Sequence, residues 1–425
     1  MILLATALML TVMPSGFGRQ ESFGALPSKR QLAWHKMEYY AFIHFGPNTF
    51  TDREWGEGAE DPNIFNPSQL DCNQWAKTIR DAGMKGVVLT AKHHDGFCLW
   101  PSKYSTHTVA QTKWGDGKRD ILKELSDACK KQKLKLGVYL SPWDRNHPTY
   151  GTPEYNQVFA KMLTEVLTKY GPIFEVWFDG ANGEGPNGKK QVYDWDLFIG
   201  TVRKYQPNAV IFSDAGPDIR WVGNEAGYAA ETNWCTLNRD RYKPGTEHYR
   251  ELTEGTMNGT DWVPAECDVS IRPGWFYHAT QDAQVKTVKQ LEDIWFGSVG
   301  QNANLILNLP PDKRGLIHEN DVAALNALRK RLDGTFSNEL SSKLPAEIDR
   351  VWLAEKVQFG QRVKKFHVEA RVGGEWNTIA SGTTIGYRRI LRIAPVTASE
   401  VRVVVDDSLA PAMLERVRLY KSLGE

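Results

Sequence analysis

The chain has 425 residues, and its 52 Lys and Arg side chains almost balance its 51 Asp and Glu side chains, for a formal net charge of +1. This balance argues against a nucleic-acid-binding protein, which usually carries a basic excess. With 41% apolar and 24% charged residues, the composition is that of a globular protein rather than a disordered chain. The 15 Trp residues either fill a core or form platforms for an uncharged polar ligand such as a carbohydrate.

Residues 1–18 are expected to be a signal peptide and not part of the fold. Residues 2–13 are almost wholly apolar, a length that suits the core of a signal peptide and is too short to cross a bilayer. No Lys or Arg precedes this run, and no clear A-x-A cleavage site follows it. No other stretch is apolar for long enough to span a membrane. We therefore expect a periplasmic or secreted protein without a membrane span.

Residues 19–335 are predicted to form one catalytic domain in which strands alternate with helices. Two segments show helical periodicity, at 69–82 and 119–132. Six apolar runs indicate strands, at 40–44, 86–90, 136–140, 173–178, 209–212 and 304–308. Two weaker strand candidates lie near 226–232 and 263–269. Such an alternation predicts a parallel sheet.

Eight strand–helix units favour a TIM-like (β/α)8 barrel, because no Gly-rich phosphate loop follows the first strand. A doubly wound open sheet is the alternative. After residue 335 strand-like runs dominate, for example 366–372 and 401–405, with turn residues between them. Residues 336–425 are therefore predicted to form a C-terminal antiparallel β-sandwich.

The cysteines and histidines do not form a pattern typical of a metal site. The five cysteines, at positions 72, 98, 129, 235 and 267, are scattered and include no C-x-x-C pair. His93, His94 and Asp95 are the main candidate ligands, but adjacent residues on a strand point to opposite faces. Both imidazoles could therefore bind one ion only if the strand has already ended. We expect no metal and no cofactor, and a metal-dependent hydrolase is a minor alternative.

If the barrel prediction holds, the chemistry lies at the C-terminal ends of the strands. Polar or aromatic residues follow most of the predicted strands. They are His44, His93, His94, Asp95, Trp143, Asp144, Asp179, Glu266 and Asn308. A core alone would not require charged groups at these places.

Asp179 and Glu225 follow neighbouring strands of the predicted barrel and can face each other. Glu225 lies between small residues beside Trp221, where poor solvation would favour its neutral form and suit a general acid. Two such carboxyls make a retaining glycosidase at a separation of about 5 Å and an inverting one at a larger separation. A capping or turn Asp and a solvated loop Glu are the structural alternatives.

The chain resembles the α-L-fucosidases of glycoside hydrolase family 29. The similarity covers most of the predicted barrel. The matching segments are HFGPNTFTDREWGEG (44–58), AKHHDGFCLWPS (91–102), GVYLSPWD (137–144), EVWFDGANG (175–183), WVGNEAGYA (221–229), AECDVSIRPGWFYH (265–278) and NANLILNLPPDKRG (302–315). So many segments in the same order are far more specific than a single short motif.

The resemblance implies a retaining mechanism with Asp179 as the nucleophile and Glu225 as the acid/base, and it implies no metal. It also implies that the fucose site is lined by His44, Glu54, Trp55, His93, His94, Tyr139 and Trp275, with Trp275 beside the sugar's methyl group. The segments that contain Glu54 and Glu225 look like those of the subgroup that cleaves α-1,3 and α-1,4 fucosyl linkages in branched, Lewis-type glycans.

Three further residues near strand ends, Trp143, Glu266 and Arg272, are expected to contact substrate, and Glu266 is a second candidate for the acid/base. The expected partner is a fucosylated oligosaccharide or glycoconjugate. The alternatives are a broad-specificity α-L-fucosidase, a non-catalytic carbohydrate-binding barrel and the metal-dependent hydrolase. The sequence does not predict an oligomeric state.

Overall fold

The computed structural model describes residues 21–245 and 249–423. The predicted signal peptide lies outside these residues. The helices are α1 (Lys29–His35), α2 (Pro47–Thr51), α3 (Cys72–Asp81), α4 (Ile121–Gln132), α5 (Pro153–Lys169), α6 (Trp195–Tyr205), α7 (Tyr249–Glu254), α8 (Val288–Ser298) and α9 (Glu319–Phe336). No helix in the described ranges is long and apolar enough to cross a membrane.

The strands of the first part of the chain are β1 (Tyr39–Ile43), β2 (Gly86–Lys92), β3 (Lys135–Leu140), β4 (Ile173–Trp177), β5 (Val210–Ser213), β6 (Ile219–Trp221), β7 (Thr236–Leu237), β8 (Asp261–Trp262), β9 (Ala265–Ser270) and β10 (Asn304–Asn308). All but β7 and β8 form a closed parallel barrel in the order β1-β2-β3-β4-β5-β6-β9-β10. The barrel closes where Tyr39 of β1 pairs with Leu305 of β10. The predicted (β/α)8 barrel is confirmed, and the open sheet is excluded.

Helix starts are fixed by local capping. Asp71 accepts a hydrogen bond from the backbone N–H of Asn73 at the start of α3, and Asp120 does the same for Lys123 at the start of α4. Each helix buries one apolar face against the sheet, as the predicted periodicity at 69–82 and 119–132 requires.

The sixth strand was predicted in the wrong place. It lies at Ile219–Trp221 instead of near 226–232, and a five-residue connection (214–218) replaces the helix that would normally join β5 to β6. The strand is short, and its central residue is Arg220, so no apolar run marks it. Arg220 is fully buried because its guanidinium donates to the carbonyls of Leu252 and Val263 and to Asn233 Oδ1.

Alternate residues of the barrel strands face the helices and the barrel interior. On β1, Tyr39, Ala41 and Ile43 pack in the layer between sheet and helices, whereas Tyr40 and Phe42 pack inside the barrel. Aromatic rings fill that interior, including Tyr139 and Trp177. The barrel interior is therefore a packed core rather than a pore.

The C-terminal strands are β11 (Ala346–Leu353), β12 (Val363–Val372), β13 (Glu375–Gly382), β14 (Arg389–Ala398), β15 (Glu400–Ser408) and β16 (Arg418–Tyr420). They form two three-stranded antiparallel sheets, ordered β14-β11-β16 and β13-β12-β15, around a shared apolar core. The predicted antiparallel β-sandwich is confirmed.

The sandwich is attached to the barrel by specific polar and apolar contacts. Arg388 pairs with Glu38, just before β1, and Arg392 pairs with Asp293 on α8. Cys235 packs with Trp262 of the barrel domain and Val357 of the sandwich. All five cysteines are buried and none forms a disulfide, in agreement with their scattered spacing.

Candidate active site

A pocket of about 200 Å³ opens at the C-terminal ends of the barrel strands. It is smaller than the cavities of about 300–1,000 Å³ that hold drug-sized ligands. Its lining residues are Phe42, His44, Glu54, Trp55, His93, His94, Tyr139, Trp177, Asp179, Ala181, Glu225, Asp268 and Trp275. The pocket thus brings together nine of the twelve residues predicted for the site, including both carboxyls of the predicted pair.

Asp179 lies two residues beyond the end of β4 and accepts two hydrogen bonds. The Tyr139 hydroxyl donates to its Oδ2 at 3.0 Å, and the backbone N–H of Ala181 donates to its Oδ1 at 2.8 Å. His94 Nε2 is 3.7 Å from the same Oδ2. An ionised carboxylate is purely an acceptor, so this set of donors suits its charged form and fixes its orientation toward the pocket.

His93 and His94 both reach the pocket because β2 has already ended at Lys92. Ser141 Oγ donates to the Trp143 carbonyl, so it accepts from His94 Nδ1–H at 2.7 Å. Nε2 of neutral His94 is then an acceptor facing Asp179. His93 Nδ1 is buried and has no hydrogen-bond partner in the described part of the protein.

His44 is oriented by Asn308 at the end of β10. The Asn308 side-chain nitrogen donates to the Trp275 carbonyl, so its Oδ1 faces His44 Nδ1 at 2.9 Å, and that nitrogen carries the proton. His44 Nε2 is therefore also an acceptor. Trp275 lies against the same ring, with centroids 5.1 Å apart.

Burial keeps the three imidazoles of the pocket uncharged. It lowers the pKa of His44 to about 3 and that of His94 to about 4, and it lowers the pKa of His93 well below its usual value. The closeness of the rings to one another and to Lys92 lowers the His93 pKa further. At neutral pH the pocket wall therefore presents neutral imidazoles, which both donate and accept hydrogen bonds.

Glu225 lies at the rim of the pocket and is exposed, so the prediction of a poorly solvated side chain beside Trp221 is wrong. The reason is that the loop after β6 turns its carboxyl outward. The Trp275 indole N–H donates to Glu225 Oε2 at 3.2 Å. The Trp221 indole instead donates to Asp268 Oδ1 at 2.8 Å.

Glu54 joins two loops of the pocket rim. Its carboxylate accepts from the backbone N–H groups of Trp275 and Phe276, at 2.8 and 3.3 Å, and lies 2.6 Å from His278 Nε2. Trp55, next in sequence, is 57% exposed and contacts the rings of His94 and Trp143. The loop after β1 and the loop after β9 are thereby held together.

Trp143 is near the pocket but does not line it. Its ring packs against His94 with centroids 4.8 Å apart, and its indole N–H donates to the Glu184 carbonyl at 3.0 Å. Its predicted contact with substrate is therefore not supported, because β3 ends at Leu140 and the alternation that would align Trp143 with Tyr139 stops there. Trp143 supports the rings that do line the pocket.

Glu266 lies below the pocket floor, inside the barrel, and is fully buried. One oxygen accepts from the Trp177 indole N–H at 2.8 Å, and the other is bonded to the Tyr40 hydroxyl. Tyr40 also lies 2.9 Å from Glu175 and accepts from Trp34 Nε1. The structure thus contradicts both predictions for Glu266, substrate contact and acid/base, because packed aromatic rings separate it from the pocket.

Arg272 is also buried and points away from the pocket. It pairs with Asp321 on α9 at 3.0 Å and with Asp282 at 2.8 Å, and its guanidinium lies over the Tyr277 ring. The predicted substrate contact is wrong, because the turn after β9 directs Trp275 into the pocket and Arg272 toward the helix layer. Arg272 anchors the loop that carries Trp275.

Phe42, Trp177 and Asp268 also line the pocket, although they were not among the predicted site residues. Phe42 and Trp177 share the inward face of their strands, so the alternation of β1 and β4 could have identified them. Asp268 shares parity with Glu266 on β9. It is 4% exposed, and burial raises its pKa well above its usual value, helped by the nearby charge of Glu225.

A second cavity of about 280 Å³ adjoins the pocket and shares Asp179, Glu225 and Asp268 with it. Asp214 lies in its wall, bonded to the backbone N–H of Gly245, and burial raises the Asp214 pKa to about 6. The smaller pocket and the larger, more polar cavity are therefore continuous with each other.

No metal site accompanies this arrangement in residues 21–245 and 249–423, where no group of three or more His, Cys, Asp and Glu side chains could hold an ion. What the pocket does offer is two carboxyl groups, one fixed by donors and one at the rim. Such a pair can supply a nucleophile and a proton donor to the same bond.

The sequence profile of the alpha-L-fucosidase family matches residues 26–334. The chain belongs to this family of glycoside hydrolases. It is 42% identical over 445 residues to alpha-L-fucosidase 1 of Arabidopsis thaliana, covering 93% of this chain and 87% of the relative. It is also 41% identical over 437 residues to a putative alpha-L-fucosidase 1 of Oryza sativa, covering 92% and 84%.

Two solved structures of glycoside hydrolase family 29 proteins are similar to this chain over almost its full length. A glycoside hydrolase 29 family member from an unknown rumen bacterium superposes with a TM-score of 0.91 at 42% identity, covering 95% of this chain and 79% of that one. A family 29 fucosidase from Ruminococcus gnavus in complex with fucose has a TM-score of 0.86 at 30% identity, covering 96% and 97%. The family resemblance inferred from the motifs is thereby confirmed.

Proposed function

We propose that the protein is an exo-acting retaining α-L-fucosidase that removes α-1,3- and α-1,4-linked L-fucose from branched, Lewis-type glycans. One observation carries the proposal: Asp179 and Glu225 line a single small pocket whose other walls are neutral imidazoles and aromatic rings. A pocket this small suits one terminal sugar and therefore exo action. In this proposal the substrate is a fucosylated oligosaccharide or glycoconjugate.

The reaction proceeds in two displacements. Asp179 Oδ attacks the anomeric carbon while the bond to the leaving oxygen breaks and Glu225 gives that oxygen its proton. Glu225, now ionised, takes a proton from water, and the water oxygen displaces Asp179 to release fucose with the original configuration. The Tyr139 hydroxyl and the Ala181 N–H hold Asp179 for the first step.

The pocket wall matches the chemistry of fucose. The acceptor nitrogens of His44 and His94 suit sugar hydroxyls, which bring their own protons. Trp275 offers an apolar surface for the C5 methyl group, worth about 0.8 kcal/mol for one fully buried carbon of this size. Because fucose is uncharged, its binding does not require charged groups in the pocket wall. Burial keeps these imidazoles neutral, in keeping with such a ligand.

Specificity for branched substrates is supported by the adjoining cavity and by the sequence around the rim. The cavity with Asp214 in its wall begins at Asp179 and Glu225, where the leaving sugar would lie, and it offers room for a branch. The segments around Glu54 and Glu225 resemble those of the 1,3/1,4-specific subgroup. A broad-specificity α-L-fucosidase is the second candidate, favoured by the exposure of Glu225 and Trp55 at an open rim.

A substrate panel separates these candidates. We expect rapid release of fucose from Lewis a and Lewis x trisaccharides and slow release from an aryl fucoside and from 2′-fucosyllactose. Similar rates on all four would favour the broad-specificity enzyme. Binding of the trisaccharides without release of fucose would identify a non-catalytic barrel. Full activity after chelation would remove the metal-dependent hydrolase.

We also propose that the protein is exported to the periplasm or beyond, with residues 1–18 removed. The apolar run at 2–13 supports this proposal. Fractionation of cells and N-terminal sequencing of the mature chain provide the test, and a cytoplasmic protein with an intact Met1 would contradict it.

A further inference from the structure

Two grooves adjoin each other on the amino-terminal end of the barrel, the end opposite the pocket. The first, of about 550 Å³, lies between α1 and the chain leading into β2 and β3, and the second, of about 670 Å³, lies below α4 and β4. Both are lined by Ala33, Leu134 and Lys135, so they form one continuous surface. We call this surface the basic face.

The basic face concentrates positive charge. Six cationic residues and no carboxylate line the first groove, and four cationic residues with one carboxylate, Asp127, line the second. Because Lys135 belongs to both, nine cations are present: Lys29, Lys36, Arg80, Lys85, Lys123, Lys130, Lys133, Lys135 and Lys169. The whole chain carries a net charge of only +1, so this excess belongs to one end of the barrel.

Several of these charges have no protein partner. Arg80, Lys85, Lys123 and Lys169 pair with nearby carboxylates. The other five, Lys29, Lys36, Lys130, Lys133 and Lys135, are exposed and form no ion pair with any residue in the described ranges. Unpaired ammonium groups that converge on a concave surface produce a positive potential, which attracts an anionic partner.

The basic face lies at a distance from the pocket that lets both be occupied together. Lys135 begins β3 and Tyr139, which lines the pocket, is four residues further along the same strand. Because a strand rises about 3.3 Å per residue, Lys135 and Tyr139 lie near opposite ends of β3, one at the basic face and the other at the pocket. A partner bound at the basic face therefore leaves the pocket mouth open.

We propose that the basic face binds an acidic polysaccharide that carries sulfate or carboxylate groups. Lysine ammonium groups are mobile, strongly hydrated point charges, and they suit repeated anionic groups along a flexible chain better than one stereospecific ligand. Leu134 and Phe174 give the grooves a partly apolar floor against which sugar C–H groups can pack. A concave groove favours a chain that enters it over a flat membrane surface.

Dextran sulfate and neutral dextran are the matched probes. We expect the wild-type protein to bind dextran sulfate at low salt and to ignore dextran, with an affinity that falls steeply as salt screens the charges. The triple variant K130E/K133E/K135E should bind at least about tenfold more weakly, since each lysine near an anionic surface contributes substantially to the binding free energy. The control K313E/K330E/K365E makes the same charge change at exposed lysines that have no ion pair and lie outside the grooves, and it should bind like wild type.

Hydrolysis of an aryl fucoside and the melting temperature should be the same in all three proteins, because none of the substituted residues lines the pocket. K130Q/K133Q/K135Q serves as the second variant if charge reversal impairs folding. Equal affinity of the basic-face and control variants would overturn the proposal, as would absence of binding by the wild type. Binding to vesicles of anionic phospholipid, or to DNA, without binding to dextran sulfate would also overturn it.

Discussion

Two pairs of carboxyl groups lie one above the other in this barrel, and their surroundings differ completely. Asp179 and Glu225 are at the mouth, partly or largely exposed. Glu175 and Glu266 are in the interior and have no exposed surface. Glu175 lies only four residues before Asp179, so neighbouring positions of the same chain segment receive opposite environments.

The interior pair must hold a proton. Tyr40 has one hydroxyl hydrogen but two carboxyl neighbours, so it can donate to only one of them, and the other carboxyl is protonated. Burial and the charge of Glu266 raise the Glu175 pKa well above its usual value, and burial raises the Glu266 pKa to about 7. This pair orients Trp177, the pocket floor, whereas the mouth pair is free to react. All four residues are acidic, so the difference between the structural pair and the reactive pair comes from their surroundings and not from the residue type.

The largest effect is expected from Asp179→Ala. Loss of a nucleophile that the pocket holds with two donors should lower kcat by about 10⁴-fold or more. Activity on an aryl fucoside measures this, with the exposed Asp196→Ala on α6 as the matched control. Azide should restore some turnover and give a fucosyl azide of inverted configuration. If Asp179→Ala kept wild-type activity, Asp179 would not be the nucleophile.

Glu225→Ala should lower kcat on Lewis trisaccharides by about 10²–10⁴-fold, the usual contribution of a general acid. The loss should be smaller on an aryl fucoside with a good leaving group, which needs less help from an acid. Here azide should yield a fucosyl azide of retained configuration, because Asp179 still forms the intermediate. Glu154→Ala, an exposed carboxylate on α5, is the control. An equal loss on both substrates would argue against acid catalysis by Glu225.

Glu266→Leu should act mainly on stability. It leaves the Trp177 N–H without its acceptor, and an orphaned buried donor costs roughly 1–3 kcal/mol of unfolding free energy, whereas the Tyr40 O–H keeps Glu175 as an acceptor. Glu266→Gln keeps an acceptor and should recover part of that loss in a thermal melt. The kcat/KM of folded Glu266→Leu should exceed that of the Asp179 variant by far. Azide rescue of Glu266→Leu would instead return Glu266 to the role of acid/base.

The two regions should also respond to pH in opposite directions. The His44 pKa is about 3 in the folded protein, against an ordinary value of 6.5 for histidine, so the unfolded chain gains protons first and stability falls as pH drops below 6.5. By pH 5 this amounts to about 2 kcal/mol for one such histidine. For Glu266, with a raised pKa, stability falls instead as pH rises from 4.5 to about 7. His44→Asn should therefore make the acid side of the melting-temperature profile less steep, with His93 and His94 accounting for the slope that remains, and leave the rest unchanged.

Strand alternation and motif positions predict most of this fold. They fail where the depth of a residue in the barrel, or the direction of its side chain, determines whether it reaches the pocket. Glu266 and Asp268 have the same parity on β9, yet one is below the floor and the other is in the pocket. Parity gives the face of a strand but not the height at which aromatic rings close the barrel. Arg272 follows the end of β9, where parity no longer applies, and β6 is hidden because its buried centre is an arginine.

The five buried thiols make the native protein almost inert toward thiol reagents. Burial raises the pKa of Cys129 and of Cys235 to about 12, and protonated, shielded thiols react poorly. A chromogenic disulfide would therefore label only molecules that have opened, and the rate of labelling would report how often the protein opens. Since Cys235 lies where the sandwich meets the barrel, its labelling ahead of Cys129 would record detachment of the C-terminal domain before the barrel unravels.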